Sequence, residues 1–231
     1  MALTARSVEQ LAETERTITE AGGTALGVAV DVGAPDEVAR LRKRVLDELG
    51  VPSILINAAG VFGPIQPVHE SDIDRWINAI HVNAIGPYLT CRAFLGGMLV
   101  AGWGRIINFS SAASLHPPGP LNSAYGTSKV ALNQFTRHLA SELVGTGVTA
   151  NVIHPGEVKT GMWASIKSES AKADGAESFR QWAAGVGDQG GDDPERALEL
   201  IQEIIDGKYA QTSGQFLWIE GGLQQPIQSW S

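Results

Sequence analysis

The chain has 231 residues, 43% of them hydrophobic, enough for one sizeable core and predicting a single domain over residues 1–231. A formal net charge of −8 argues against nucleic-acid or anionic-membrane partners, which need a basic face. The one cysteine, Cys91, rules out an internal disulfide and points to a reducing, cytoplasmic setting, where it reads as a small buried hydrophobe.

Strand and helix patterns alternate from the first residues. Ala2-Leu3-Thr4-Ala5 is a short apolar stub ending at Arg6, and Ser7 with Gln10 three residues on is a capping-box signature for the helix that follows. Gly22-Gly23 stops that helix. Leu26, Val28 and Val30 alternate with Gly27 and Ala29 as a strand ending at Asp31. Pro35 opens a helix with Val38, Leu41, Val45 and Leu49 at helical spacing.

Ile54-Leu55-Ile56 is the continuous apolar run of a strand buried on both faces, and it runs into Asn57-Ala58-Ala59-Gly60. A long helical region covers about 72–100, followed by a strand over 105–109 and a helix over 123–143. Residues 148–153 form the next strand, closed by Pro155-Gly156. Residues 157–192 are polar, glycine-rich and weakly patterned. Asp193-Pro194 caps a last helix, and 216–219 is a final strand.

No basic-then-apolar leader opens the sequence, and the most apolar runs, 53–62 and 94–103, are too short to span a bilayer. The expectation is no membrane association. The five histidines show no metal-ligand spacing, so no metal is expected. The alternation predicts an α/β fold with a doubly wound parallel sheet, Rossmann-like and in three layers. Such sheets bind ligands beyond the carboxyl ends of their strands. Asp31, Asn57, Ser110-Ser111 and Pro155-Gly156 all fall at strand ends, which points to one small-molecule crevice.

Tyr125 and Lys129 lie four apart on a predicted helix and so share a face. A nearby ammonium favours phenolate and lowers the tyrosine pKa, suiting it to acid–base work on an alcohol or ketone oxygen. That spacing alone is common. Its context is not: Ser111 stands fourteen residues earlier, Asn57-Ala58-Ala59-Gly60 ends the preceding strand, Asn83 lies in the helix between, and Pro155-Gly156 with Thr160 follows.

Together these resemble the classical short-chain dehydrogenase/reductase family over essentially the whole chain, ending at 213–222. The resemblance implies that Tyr125 exchanges the proton with the substrate oxygen. Lys129 lowers its pKa and hydrogen-bonds the nicotinamide ribose. Ser111 polarises the substrate carbonyl, with Ser110 the neighbouring candidate. Asn83 holds a water linking Lys129 to solvent, or else is an ordinary helix residue bonding the backbone.

The resemblance also implies cofactor contacts from Arg6, Ser7, Asp31, Val32, Asn57, Ala58, Gly60, Tyr125, Lys129, Pro155, Gly156, Val158 and Thr160. Arg6 with Ser7 after the first strand favours the 2′-phosphate of NADP, with NAD the alternative. The reaction implied is pro-S hydride transfer between a secondary alcohol and its ketone. The helix over 72–100 and the Tyr125 helix are expected to pack across a homodimer or homotetramer. Trp163, Phe179 and Trp182 either line an apolar substrate pocket or simply pack a loop.

The family's opening strand, T-G-x-x-x-G-x-G turn and helix are missing, so the expected domain is N-terminally truncated by its first strand and helix. Two outcomes are open: the remaining strands close the gap, or the natural chain starts upstream, which the intact catalytic motifs favour. The alternative function is a catalytically inactive, cofactor-free relative serving as a binding or oligomerisation module.

Overall fold

The structure, a computed structural model, describes residues 1–224. Strand β1 (Ala2–Ala5) is followed by helix α1 (Val8–Glu20), β2 (Leu26–Ala29), α2 (Pro35–Leu49) and β3 (Ile54–Asn57). Helices α3 (Ile73–Ile80) and α4 (Gly86–Ala101) are joined by a π-turn at His81–Ile85. Then come β4 (Gly104–Phe109), α5 (Ser123–Glu142) and β5 (Val148–His154). Helices α6 (Gly161–Ser170), α7 (Glu177–Gln189) and α8 (Pro194–Ile205) precede β6 (Phe216–Trp218) and β7 (Gly222–Gln224).

Local chemistry explains several boundaries. The Ser7 hydroxyl accepts from Gln10 N at the start of α1, and Asp193 accepts from Glu195 N at the start of α8. Pro35 and Pro194 occupy first turns, where a missing N–H is harmless. Gly102, at φ 68°, ends α4 in the left-handed conformation.

The fold is α/β with parallel strands, but the strands form two sheets. Among the described residues β1 pairs only with β2, and the second sheet runs β3-β4-β5-β6-β7, parallel except for the final antiparallel strand. The strands have not closed up, because β1 and β3 do not pair. The outer edge of β2 is covered from within the chain. Leu26 N and Val30 N bond to β1, so Gly27 N points the other way, where the Glu15 carboxylate of α1 accepts from it. On the β3 side, Ile56 is 43% exposed despite its place in a strand.

Helices α4 and α5 cover one face of the larger sheet, with Cys91, Met98, Leu139 and Leu143 packed on Ile106 and Ala150. On the opposite face α8 sets Leu200, Ile201 and Ile204 against Ile107, Ile153 and Leu217. Leu41 and Val45 of α2 cover β2 and meet Phe94 of α4, which joins the smaller sheet to the larger. Residues 73–101 form one helical run that is long and apolar enough, by length and composition alone, to cross a bilayer. The packing of Cys91, Phe94 and Met98 in the core accounts for part of that apolar character.

Residues 157–192 are more ordered than their pattern implied. Two helices, α6 and α7, fill most of the segment and gather Met162, Ile166, Phe179 and Trp182 into a cluster with Phe62 and Ile65.

Candidate active site

The carboxyl ends of β3, β4 and β5 converge, and a buried polar relay fixes their spacing. Asn57 Nδ2 donates to Asn108 Oδ1 at 2.8 Å, and Asn108 Nδ2 donates to Thr136 Oγ1 at 2.8 Å. Thr90 Oγ1 donates to Asn57 Oδ1 at 2.7 Å. Asn57 therefore uses its side chain inside the protein, between the sheet and α4, and only its backbone is left to face a ligand. Its Nδ2 also lies 3.8 Å from Cys91 Sγ, whose pKa burial pushes up to about 12. Cys91 is an inert core residue, as the sequence suggested.

Tyr125 and Lys129 project from the first turns of α5, and both are buried. Burial lifts the Tyr125 phenol above its usual range, and a hydrogen bond with Ser111 pulls it partly back. The expected lowering by Lys129 is not what the structure shows. Lys129 Nζ lies 5.5 Å from the centroid of the Tyr125 ring and donates to Phe109 O at 2.8 Å. With that single neutral acceptor, burial lowers the Lys129 pKa to about 8. Two of its three N–H donors stay uncommitted among the described residues.

Ser110 and Ser111 have separate roles. Ser110 Oγ donates to Asn133 Oδ1 at 2.6 Å and lies 3.3 Å from Ser114 Oγ, so it serves the scaffold. Ser111 accepts from Ala113 N at 3.2 Å and stands beside the Tyr125 phenol.

Asn83 sits in the π-turn, 1% exposed. Its Oδ1 accepts from Val61 N at 2.9 Å, and its Nδ2 donates to Val61 O at 2.8 Å and to Ser128 Oγ at 2.9 Å. Both amide hydrogens are used, and one oxygen lone pair is left. The side chain thus braces the loop after β3, which is the backbone-bonding reading. Single-turn π segments occur often at functional sites because they re-aim a helix.

Val61 is held beside Gly60, where an added Cβ would lie 3.7 Å from Lys129 Nζ and 3.6 Å from Met162 Cε. Phe62 stacks on Tyr125 with ring centroids 4.7 Å apart and meets Phe179 edge-on at 5.8 Å. Beside this loop lies a cleft of about 330 Å³ bounded by Gly60, Phe62, Arg75, Met162 and Glu169. Arg75 Nη2 closes one side, donating to Glu169 Oε1 at 2.6 Å and to Gly63 O at 3.3 Å.

Residues 1–171 match the family of short chain dehydrogenases. The chain belongs to that family. A putative ketoacyl reductase of Streptomyces coelicolor is 32% identical over 225 residues, 95% of this chain and 85% of the relative. Short chain dehydrogenase MYCFIDRAFT_6125 of Pseudocercospora fijiensis is 38% identical over 141 residues, but the match spans only 45% of that protein. Among solved structures, a single-residue variant of actinorhodin polyketide ketoreductase with NADPH superposes with a TM-score of 0.83 at 29% identity, covering 94% of this chain and 84% of that one. Both sheets of this short chain dehydrogenase therefore superpose together on a larger relative's framework.

The residues fit one half of a nicotinamide dinucleotide. Gly60 leaves space beside Lys129, whose spare donors suit ribose hydroxyls, and Pro155-Gly156 follows the carboxyl end of β5, the strand that pairs with β4. Thr160 caps α6, accepting from Trp163 N at 3.5 Å. At the far end, Arg6 is exposed with no partner among the described residues, while the Ser7 hydroxyl is taken by α1. Asp31 Oδ1 accepts from Gly33 N at 2.9 Å, and Val32 packs on Gly86. Ala58 is exposed at the end of β3. Between these ends, no glycine-rich turn connects a strand to a helix among the described residues, so a pyrophosphate finds no backbone cradle.

Sequence reasoning missed Phe62 and Met162. Phe62 follows Asn57-Ala58-Ala59-Gly60 closely enough to have been suspected, but Met162 has no local signal. Phe179 and Trp182 do gather over the site, whereas Trp163 donates to Ala183 O at 3.2 Å and mainly binds α6 to α7.

Proposed function

We propose that the chain is an oxidoreductase interconverting a secondary alcohol and its ketone, with Tyr125 as general acid/base and NADP preferred over NAD. The observation that carries this reading is the convergence of Ser111, Tyr125 and Lys129 at the ends of β4 and α5, beside the open floor at Gly60. A bound nicotinamide supplies or accepts the hydride.

In the reductive direction the raised pKa of Tyr125 keeps its proton in place for the carbonyl oxygen. Ser111 donates to that same oxygen as negative charge develops on it. Delivery of the proton leaves a tyrosinate, toward which Lys129 would have to turn one of the donors it does not spend on Phe109 O; in the oxidative direction that tyrosinate takes the hydroxyl proton. Asn83 holds Val61, and so Gly60, in register with Lys129. Phe62 and Phe179 exclude water from the Tyr125 ring and favour an apolar group next to the carbonyl.

Arg6, exposed at the end of β1 and without a partner among the described residues, supports the NADP preference, because a guanidinium can pair with a 2′-phosphate. Exposed Ile73, Ile77, Tyr88 and Val130 on α3, α4 and α5 support a homo-oligomer built on those helices. Titration of the 231-residue chain with NADPH, followed by cofactor fluorescence, tests the reading. Saturable enhancement is expected. The absence of any response to NADPH or NADH would instead favour a cofactor-free binding module, which the divided sheet supports.

A further inference from the structure

The turn that closes β5 is held by a residue outside the Ser111–Tyr125–Lys129 group. Gly156 has φ 87°, and an added Cβ would come within 2.4 Å of Ile219 Cδ1 and 2.6 Å of Asp192 Oδ2, so backbone conformation and both neighbours restrict the turn to glycine. Asp192 lies in the connection between α7 and α8 and grips Glu157 from both sides. Glu157 N donates to Asp192 Oδ2 at 2.7 Å, and Asp192 N donates to Glu157 O at 3.1 Å. This two-way bond resembles one rung of a sheet, although neither residue is in a strand.

The other carboxylate oxygen is also used. Arg196 Nη1 donates to Asp192 Oδ1 at 3.3 Å, and the same guanidinium reaches Ile219 O at 3.3 Å beyond β6. Asp192 therefore joins three things: the turn after β5, the first turn of α8, and the end of β6. Two further bonds tie the residues after the turn to α7. Trp182 Nε1 donates to Glu157 Oε1 at 2.7 Å, and Lys159 Nζ donates to Gly187 O at 2.7 Å.

We propose that Asp192 is a positioning residue that sets the Pro155-Gly156-Glu157 turn, and with it the rim against which the nicotinamide rests. The inference rests on the cofactor reading above for its consequence, but not for its geometry. A charge-assisted hydrogen bond to a backbone N–H is among the stronger ones. Without the carboxylate, Glu157 N–H loses its acceptor, and the turn keeps the backbone bond from Asp192 N to Glu157 O and the side-chain ties to α7. Asparagine at 192 keeps an oxygen for Glu157 N–H, whereas alanine offers that N–H no acceptor and keeps only the backbone bond to Glu157 O.

The test is residue-resolved amide hydrogen exchange on the full chain, as wild type, Asp192→Asn and Asp192→Ala, with NADPH titrations of the same three proteins. In wild type the Glu157 amide should exchange well below the rate of Val158, whose N–H has no protein acceptor among the described residues. Asp192→Ala should speed Glu157 exchange and weaken NADPH by about tenfold or more each, and Asp192→Asn should restore most of both. Equal exchange of Glu157 and Val158 in wild type would overturn the proposal, and that comparison stands even if Asp192→Ala does not fold. So would unchanged exchange in Asp192→Ala, or faster exchange with unaltered NADPH affinity. If wild type binds neither NADPH nor NADH, the cofactor reading fails, while the exchange rates still decide whether Asp192 holds the turn.

Discussion

The two sheets are built to different standards. In the larger one, β5 is buried along its whole length and β4 along all but its last residue, and the Asn57–Asn108–Thr136 relay bolts three elements together beneath the site. In the smaller one, β1 alternates between exposed and half-buried residues, and its stability leans on β2, α1 and the contact of α2 with Phe94. A lone two-stranded pair is marginal in water. The groups proposed for proton transfer thus stand on rigid ground, while the residues proposed for the adenosine end, Arg6 and Ser7, stand on soft ground. A substitution at one end should act on chemistry, and at the other on affinity.

The largest effect should come from Tyr125→Phe, which removes the proton donor but keeps the ring that stacks on Phe62. Turnover should fall by about 10³-fold, within the range for a lost general acid, with NADPH affinity nearly unchanged. Steady-state rates with a parallel binding titration would check it. Retained turnover would remove Tyr125 from the chemistry.

Next comes Lys129, whose folded-state pKa of about 8 lies below the ordinary lysine value of 10.5. Between those values the unfolded chain holds the proton and the folded chain does not, so stability contributed through this group rises with pH. Below about pH 8 both states are protonated, and the cost of the buried charge is felt in full. Wild type should therefore gain on Lys129→Met by about 3 kcal/mol as pH rises from 8 to 10.5. Urea unfolding of both proteins across that range measures the difference, which also cancels the opposite trend expected from buried Cys91. A constant difference would mean that the Lys129 charge is not desolvated.

Smaller still is the contrast in structural support. Asn108→Ala removes the acceptor of Asn57 Nδ2 and the amide donor to Thr136 Oγ1 in the core and should cost about 1–3 kcal/mol. Glu15→Ala, at the outer edge of β2, should cost under about 1 kcal/mol, because water can reach Gly27 N–H. Equal costs in urea melts would erase the distinction between the sheets. The smallest effect belongs to Arg6→Asp, which should shift the NADPH/NADH affinity ratio about tenfold toward NADH. An unchanged ratio would take Arg6 out of cofactor selection.

Much of this was legible in the sequence because local signals agreed with the fold. Ser7, Pro35 and Asp193-Pro194 mark helix starts, and unbroken apolar runs mark the buried strands. The family was legible through the order of its motifs along the chain. What stayed hidden depended on distant contacts. Gly185 and Gly187 dilute the helical pattern of α7, and α6 spreads its apolar residues around its axis, so both helices were read as loop. Phe62 and Asp192 lie outside helices and strands, where no periodicity points to a partner, and the α5 phenol and the residue 157 amide that they meet are distant in sequence. The pKa of Tyr125 was misjudged for a related reason. Four-residue spacing places Lys129 nearby, but it cannot reveal that the ammonium turns to Phe109 O.

The most direct test of the central claim is an NADPH titration of the 231-residue chain, wild type beside Lys129→Met. If Lys129 holds the nicotinamide ribose beside Tyr125, wild type will show saturable fluorescence enhancement, and the variant will bind at least about tenfold more weakly. Equal binding by the two proteins, or no binding of NADPH or NADH by wild type, would contradict it.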